Sequence, residues 1–449
     1  MRKNLTIQRA VAAAAIVLAV APAARGDIDP QLRCRFGAYA LSDGRTLAID
    51  GYEGQSRDLQ YVLSSGEFGH LAAGAADKYS MKTADRTYGS ASFTDCVAGD
   101  VTFAEEGRQT LSGKRISEPA EETDFESGGV RLHGRLVMPQ NGNADAVVVM
   151  IQGSEDDPGT DDDFWQYELP LVGIGVFTYD KRGSGRSSGD VSADFYVRAA
   201  DTAAAVRTAR KLASNATRFG VFGGSQGGWV APLTATQTSL EFVIVGFGLA
   251  EGVTAQDRDE VEEMVRAAGY GDDVVGKVRE ITDATARVVK SEWISGWTEL
   301  AAVERKYRHE PWYKAIDGEN GYTAILLRTP EATARLMGPK MDKHVSFSYD
   351  PRPIISRIAS RQLWVLGGAD RTAPSSRTIE ILTSIQRRRS ALNLVVYTNA
   401  DHGIVEEFPF GSIKRRRFPA GYFELIADWI KSDRLPEPNG DLIEWRSQR

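Results

Sequence analysis

Six short apolar runs, rich in β-branched residues, do most to restrict what this chain can fold into. They span residues 146–151, 173–179, 219–222, 242–247, 363–366 and 392–397. Such runs lack the polar–apolar alternation of a strand with one wet face, so they read as strands buried on both sides. Helical patterns separate them. Between 195 and 213 the spacing of Phe195, Ala199, Thr202, Val206, Ala209 and Leu212 fits one helical face, and Phe423, Ile426, Trp429 and Ile430 do the same near the C-terminus. Strand–helix alternation of this kind predicts an α/β unit, a mostly parallel sheet with helices on both faces. Residues 130–138 alternate instead, with Val130, Leu132, Leu136 and Met138 on one side. About a hundred residues, 250–349, interrupt the sheet pattern and read as a mainly helical cap insertion.

Residues 27–118 have a different texture. Short alternating stretches are punctuated by Asp43-Gly44, Ser65-Gly66 and Gly99-Asp100, which predicts a small antiparallel β domain. A polar linker containing Pro119 follows at 118–122, so the catalytic unit is expected over 119–449. Ahead of the β region, Arg2, Lys3 and Arg9 precede an apolar run over 10–24 and small residues at Ala24 and Gly26. That pattern reads as a cleavable signal peptide, residues 1–26, with a run too short for a spanning helix. Cleavage would remove basic residues only (Arg2, Lys3, Arg9 and Arg25) and leave a more acidic chain. A periplasmic or secreted protein is therefore expected, in which Cys34 and Cys96 close a disulfide.

Composition narrows the function classes. The 449-residue chain is 42% hydrophobic and 26% charged, as an ordinary globular protein is. A net charge of −7 argues against nucleic acid as a partner. Two cysteines cannot supply a four-cysteine zinc site. No metal or cofactor is expected.

The sharpest chemical signal is Gly223-Gly224-Ser225-Gln226-Gly227, placed directly after an apolar strand and directly before a helical segment. At such a turn the serine is strained and lifted above the sheet, and glycines allow the close approach around it. Ser225 is thus the candidate nucleophile, and a hydroxyl needs a base to activate it. Of five histidines, His133 reads as facing solvent, His70 lies in the N-terminal β region, and His309 and His344 lie in the insertion. His402 follows the strand at 392–397, at the strand end where functional groups collect, and is the candidate base. Asp370 follows the strand at 363–366 and completes the order serine, acid, histidine. Asp401 is its rival, but an adjacent side chain cannot readily reach back to the ring. The oxyanion donors are expected to be the backbone N–H groups of Gln226 and Ser154, the latter after Gln152-Gly153.

From about Phe125 onward the chain resembles the α/β-hydrolases. It is most similar to bacterial esterases grouped with serine aminopeptidases and prolyl-oligopeptidase-like hydrolases. Besides the serine turn, the matching segments are 179–187 (Tyr-Asp-Lys-Arg-Gly-Ser-Gly-Arg-Ser), 228–232 (Gly-Trp-Val-Ala-Pro), Asp350-Pro351 and Asp401-His402-Gly403. Relatives usually have His-Gly where this chain has Gln152-Gly153. The resemblance implies hydrolysis of a small-molecule ester through an acyl-enzyme, without a cofactor. A peptidase of the same fold is the alternative, and a non-catalytic binding protein a more remote one.

Weaker signals read as ordinary surface. The acidic residues between Glu155 and Asp163 do not follow calcium-loop spacing and suggest a solvated loop. Glu260, Glu262 and Glu263 read as an exposed helix, and the basic runs 387–389 and 414–417 as solvated faces. Trp293, Trp297, Trp312, Tyr313 and Tyr322 are dense enough to suggest a cap that roofs the serine and shapes an acyl pocket.

Overall fold

The computed structural model describes residues 28–445 except 53–54, 76, 84–85, 317–320, 343, 389–390, 433 and 436–441. The expected signal peptide, 1–26, lies outside the described residues. Two sheets organise the chain.

The first is antiparallel. Its N-terminal strands are β1 (Gly37–Leu41), β2 (Thr46–Tyr52), β3 (Gln55–Leu63), β4 (Glu67–Ala73), β5 (Lys78–Lys82), β6 (Thr87–Phe93), β7 (Asp100–Glu105) and β8 (Leu111–Arg115). Cys34, just ahead of β1, and Cys96, between β6 and β7, form a disulfide.

The second sheet comprises β9 (Ala120–Ser127), β10 (Val130–Val137), β11 (Ala146–Ile151), β12 (Ile174–Tyr179), β13 (Arg218–Gly224), β14 (Phe242–Gly246), β15 (Arg361–Gly367), β16 (Leu392–Tyr397) and β19 (Leu442–Trp445). Its order is β19-β16-β15-β14-β13-β11-β12-β10-β9. The six strands predicted from the apolar runs pair in parallel, and β9, β10 and β19 run antiparallel at the edges. Every residue of β11, β12 and β14 is buried, which explains why those runs carry no polar phase.

Because strand side chains alternate between faces, the sheet feeds two cores. Val147, Val149, Val221 and Val245 join one cluster with α2 (Phe195–Leu212), α3 (Gly227–Thr234) and α10 (Ser376–Gln386). Val148, Phe222, Ile244 and Val365 join the other, with α1 (Trp165–Glu168), α11 (Tyr422–Ser432) and residues of the antiparallel sheet. The cap consists of α4 (Val253–Ala267), α5 (Asp272–Lys290), α6 (Trp297–Tyr307), α7 (Tyr322–Arg328) and α8 (Glu331–Met341), before the short α9 (Arg352–Ile355).

One connection was not anticipated. After β16 the chain forms a hairpin, β17 (Glu406–Phe410) and β18 (Ile413–Arg417), and β18 pairs with β4 of the antiparallel sheet. The basic run 414–417 is therefore not a uniformly solvated face. Arg415 is buried, donates to Glu105 and Tyr61, and stacks over Phe410, because the hairpin presses its inner face onto the N-terminal strands.

The acidic loop is corrected for a similar reason. Asp157 and Asp161 are buried, since the loop lies in the seam between the two sheets. Arg33 grips Asp161 with two hydrogen bonds of 2.8 and 2.7 Å, and the Gly51 N–H donates to the Asp161 carbonyl. His133 is buried too, not solvent-facing. Asp124 on β9 meets its Nδ1 at 2.8 Å, and Ser187 from the 180–189 loop accepts from its backbone N–H.

Candidate active site

The serine turn is held by close packing that only glycine permits. Ser225 has φ +51°, in the left-handed region where a side chain is strained. A Cβ on Gly223 would lie 2.2 Å from the Gly227 carbonyl oxygen, and one on Gly227 would lie 2.5 Å from that of Ile151. The Ser225 N–H donates to the Gly246 carbonyl at 3.1 Å, and α3 begins at once, with Gly228 N–H donating to Ser225 at 2.9 Å. Strain at the serine is thus fixed by hydrogen bonds and packing on both sides.

His402 and Asp370 reach the same point from the ends of β16 and β15. His402 Nε2 lies 3.1 Å from Ser225 Oγ, and His402 Nδ1 lies 2.8 Å from Asp370 Oδ2. Asp370 is buried, and its other oxygen accepts the N–H groups of Thr372 and Ala373 at 3.0 and 2.7 Å. That arrangement leaves one carboxylate oxygen to accept Nδ1–H, so the Nε2 lone pair faces the serine hydroxyl. Phe247 packs edge-on against the imidazole, with ring centroids 5.1 Å apart. Asp401, the rival acid, is committed elsewhere. Its Oδ1 accepts the His402 backbone N–H at 2.8 Å and shapes the turn.

Gln226 and Ser154 both line the cleft beside Ser225. Among the described residues, neither backbone N–H has an acceptor within the protein. The neighbouring Gly153 N–H is occupied by the Glu155 carboxylate at 2.6 Å, so it is not the donor that loop offers to a ligand. The Gln152 side chain turns away and donates to the Asp157 carbonyl at 2.8 Å. Sequence reasoning missed two cations here. Lys181 Nζ donates to the Gly153 and Glu155 carbonyls, and Arg198 donates to Gln226 Oε1 and to the Gln152 carbonyl. Arg198 stands within the buried stripe of α2, and an arginine in an apolar stripe was the signal available.

The cleft offers about 100 Å³ and has a largely apolar wall of Trp229, Leu249, Val253, Tyr322, Met341 and Val345. The cap does contribute, but through Tyr322 alone among the five aromatics singled out. Trp293 and Trp297 pack on each other and on α8, and Trp312 packs against Tyr307. The acidic stretch of α4 is not an exposed face. Glu260 is buried with Asp257 against α7, where Asp257 accepts from Thr323 at 3.0 and 2.6 Å. Burial, reinforced by the charge of Asp257, pushes the Glu260 carboxyl up to about 8. Glu262 pairs with Arg279, and only Glu263 is exposed. Among the described residues no cluster of three His, Cys, Asp or Glu side chains is arranged to hold a metal ion.

The alpha/beta hydrolase family model matches residues 148–412, more than half of the chain. The chain belongs to the alpha/beta hydrolase family. The hydrolase is also similar to solved structures of low identity. An esterase of Pyrococcus furiosus is 14% identical, covers 64% of this chain and 83% of its own, and gives a TM-score of 0.40. The acylaminoacyl peptidase of Pyrococcus horikoshii is also 14% identical with a TM-score of 0.40. It covers 80% of this chain, which in turn spans 51% of the peptidase. A 2,6-dihydroxy-pseudo-oxynicotine hydrolase is 18% identical, covers 64% of this chain and 63% of its own, and gives a TM-score of 0.39. No curated protein matches the chain.

Proposed function

We propose that this hydrolase is an exported serine esterase that cleaves small carboxylic esters through an acyl-enzyme. The observation that carries the reading is the relay from Ser225 Oγ to His402 Nε2, 3.1 Å, and from His402 Nδ1 to Asp370, 2.8 Å. Ser225 attacks the ester carbonyl as His402 takes its proton, and the buried Asp370 carboxylate stabilises the imidazolium. The Gln226 and Ser154 N–H groups receive the charge that develops on the carbonyl oxygen. The tetrahedral intermediate collapses as His402 passes its proton to the leaving alcohol. Water, activated by the same histidine, then attacks the acyl-enzyme and frees the acid.

Resemblance to bacterial esterases favours an ester substrate and the apolar wall an apolar acyl group, while the small cleft favours one of limited size. The half-open cleft offers about 100 Å³, small beside the roughly 300–1,000 Å³ of sites for drug-sized ligands. The disulfide, and the absence of a membrane-spanning helix among the described residues, are compatible with export.

A series of p-nitrophenyl esters set beside aminoacyl p-nitroanilides tests the specificity. The expected order is acetate and butyrate above decanoate by tenfold or more in kcat/KM, with anilides slower still. Faster turnover of an aminoacyl anilide than of every ester would replace the esterase reading with a peptidase one.

A further inference from the structure

The parallel ladder between β11 and β13 has its last pair at Ile151 and Gly223. Beyond it lie the segments 152–154 and 225–226, which carry the two proposed oxyanion donors. Backbone pairing no longer sets their separation, yet an oxyanion site works only if its donors hold their positions closely.

Arg198 spans this gap. It projects from the first turns of α2, is 3% exposed, and is anchored by a helix whose N-terminus Asp194 caps. One terminal nitrogen donates to Gln226 Oε1 and the other to the Gln152 carbonyl, one residue group on each side. Neither acceptor is charged, and among the described residues no carboxylate lies within ion-pair distance of Arg198. Burying a guanidinium whose nearest carboxylates, Glu155, Asp201 and Asp156, act only from beyond ion-pair distance is costly, and an apolar residue at this position of the α2 stripe would cost less. The planar fork holds its two acceptors through separate nitrogens in a rigid geometry, whereas a lysine ammonium gathers acceptors at one nitrogen on a flexible stem.

We propose that Arg198 is a positioning residue that sets the separation of the Gln226 and Ser154 N–H groups, and so the strength of the oxyanion hole. The inference rests on the serine-esterase reading. Arg198 does not itself touch the reacting atoms.

The test compares Arg198→Met, Arg198→Lys and Gln226→Leu with the wild type, using p-nitrophenyl butyrate and a trifluoromethyl ketone that adds to the serine as an oxyanion. Misplacing a donor by about 1 Å costs roughly 10²-fold in rate. Arg198→Met is therefore expected to lose about 10²-fold in kcat with KM within threefold, and to bind the ketone more weakly in proportion. Arg198→Lys should recover only part of the loss. Gln226→Leu keeps its backbone N–H and should lose about tenfold, and adding it to Arg198→Met should cost nothing further. A folded Arg198→Met protein with kcat and ketone affinity within twofold of wild type would overturn the proposal, as would multiplicative losses in the double variant. Should Arg198→Met fail to fold, Gln226→Leu decides alone, and unchanged kcat there overturns the proposal. Failure of the underlying reading looks different: the wild type itself would turn over no ester and take no ketone.

Discussion

Replacing Asp370 with asparagine is expected to lower kcat for ester hydrolysis by about 10⁴-fold with little change in KM or in folding. The size of the effect follows from the way the carboxylate is held. One oxygen accepts the N–H groups of Thr372 and Ala373, so the asparagine carbonyl must stay there. Its NH₂ group would then face His402 Nδ1, which can only accept that hydrogen bond if it carries no proton. The proton moves to Nε2 and points at Ser225 Oγ, where a lone pair is needed. The base is lost although every atom is nearly in place. Steady-state kinetics on p-nitrophenyl butyrate check this, and a variant within tenfold of wild type would show that Asp370 does not set the tautomer.

The second large effect concerns stability. Arg415→Met is expected to destabilise the protein by about 3 kcal/mol, the lower end of the cost of breaking a buried ion pair. Arg415 and Glu105 are both buried, and the pair joins the β17–β18 hairpin to the antiparallel sheet. Arg108 also donates to Glu105 at 2.8 Å, which leaves the carboxylate partly partnered after the substitution and explains the lower figure. The cation additionally covers the faces of Phe410 and Tyr88, so packing is lost as well as charge. Urea unfolding should show a lower midpoint, largely regained when Glu105→Gln is added. Because the hairpin starts at Glu406, just after the His402 turn, kcat should fall before the global transition. An unchanged midpoint would mean that the hairpin is held by its backbone pairing and apolar contacts alone.

The parts of this molecule legible in the sequence are those governed by local chemistry. Strands buried on both faces need unbroken apolar runs, and the turn at Ser225 needs glycines at 223 and 227 because carbonyl groups lie where a Cβ would stand. The candidate relay followed from chain order, since the loops after β15 and β16 carry Asp370 and His402 in the sequence expected to follow the serine. What escaped was long-range. The stretch 406–417 is full of charge and reads as surface, yet β18 finds its partner in β4, more than three hundred residues earlier. Its arginines gain their place from the aromatic faces of Phe68, Phe408 and Phe410, which no local pattern announces. The acidic loop near Asp161 and the histidine at 133 were misread for the same reason, because each is covered by a segment remote in sequence. Glu260 sits on a helix face whose partner, α7, lies some sixty residues on. Arg198 was visible only as a polar exception in a buried stripe, and its meaning depends on two loops brought together by the sheet.

The claim that Ser225 is the nucleophile of this hydrolase is open to one direct measurement. The protein is treated with a fluorophosphonate probe while esterase activity is followed, then digested and mapped by mass spectrometry. The account predicts one equivalent of phosphonate on the peptide containing Ser225, loss of activity in step with labelling, and no label on Ser225→Ala. Full labelling of the alanine variant, or wild-type hydrolysis by it, would contradict the account.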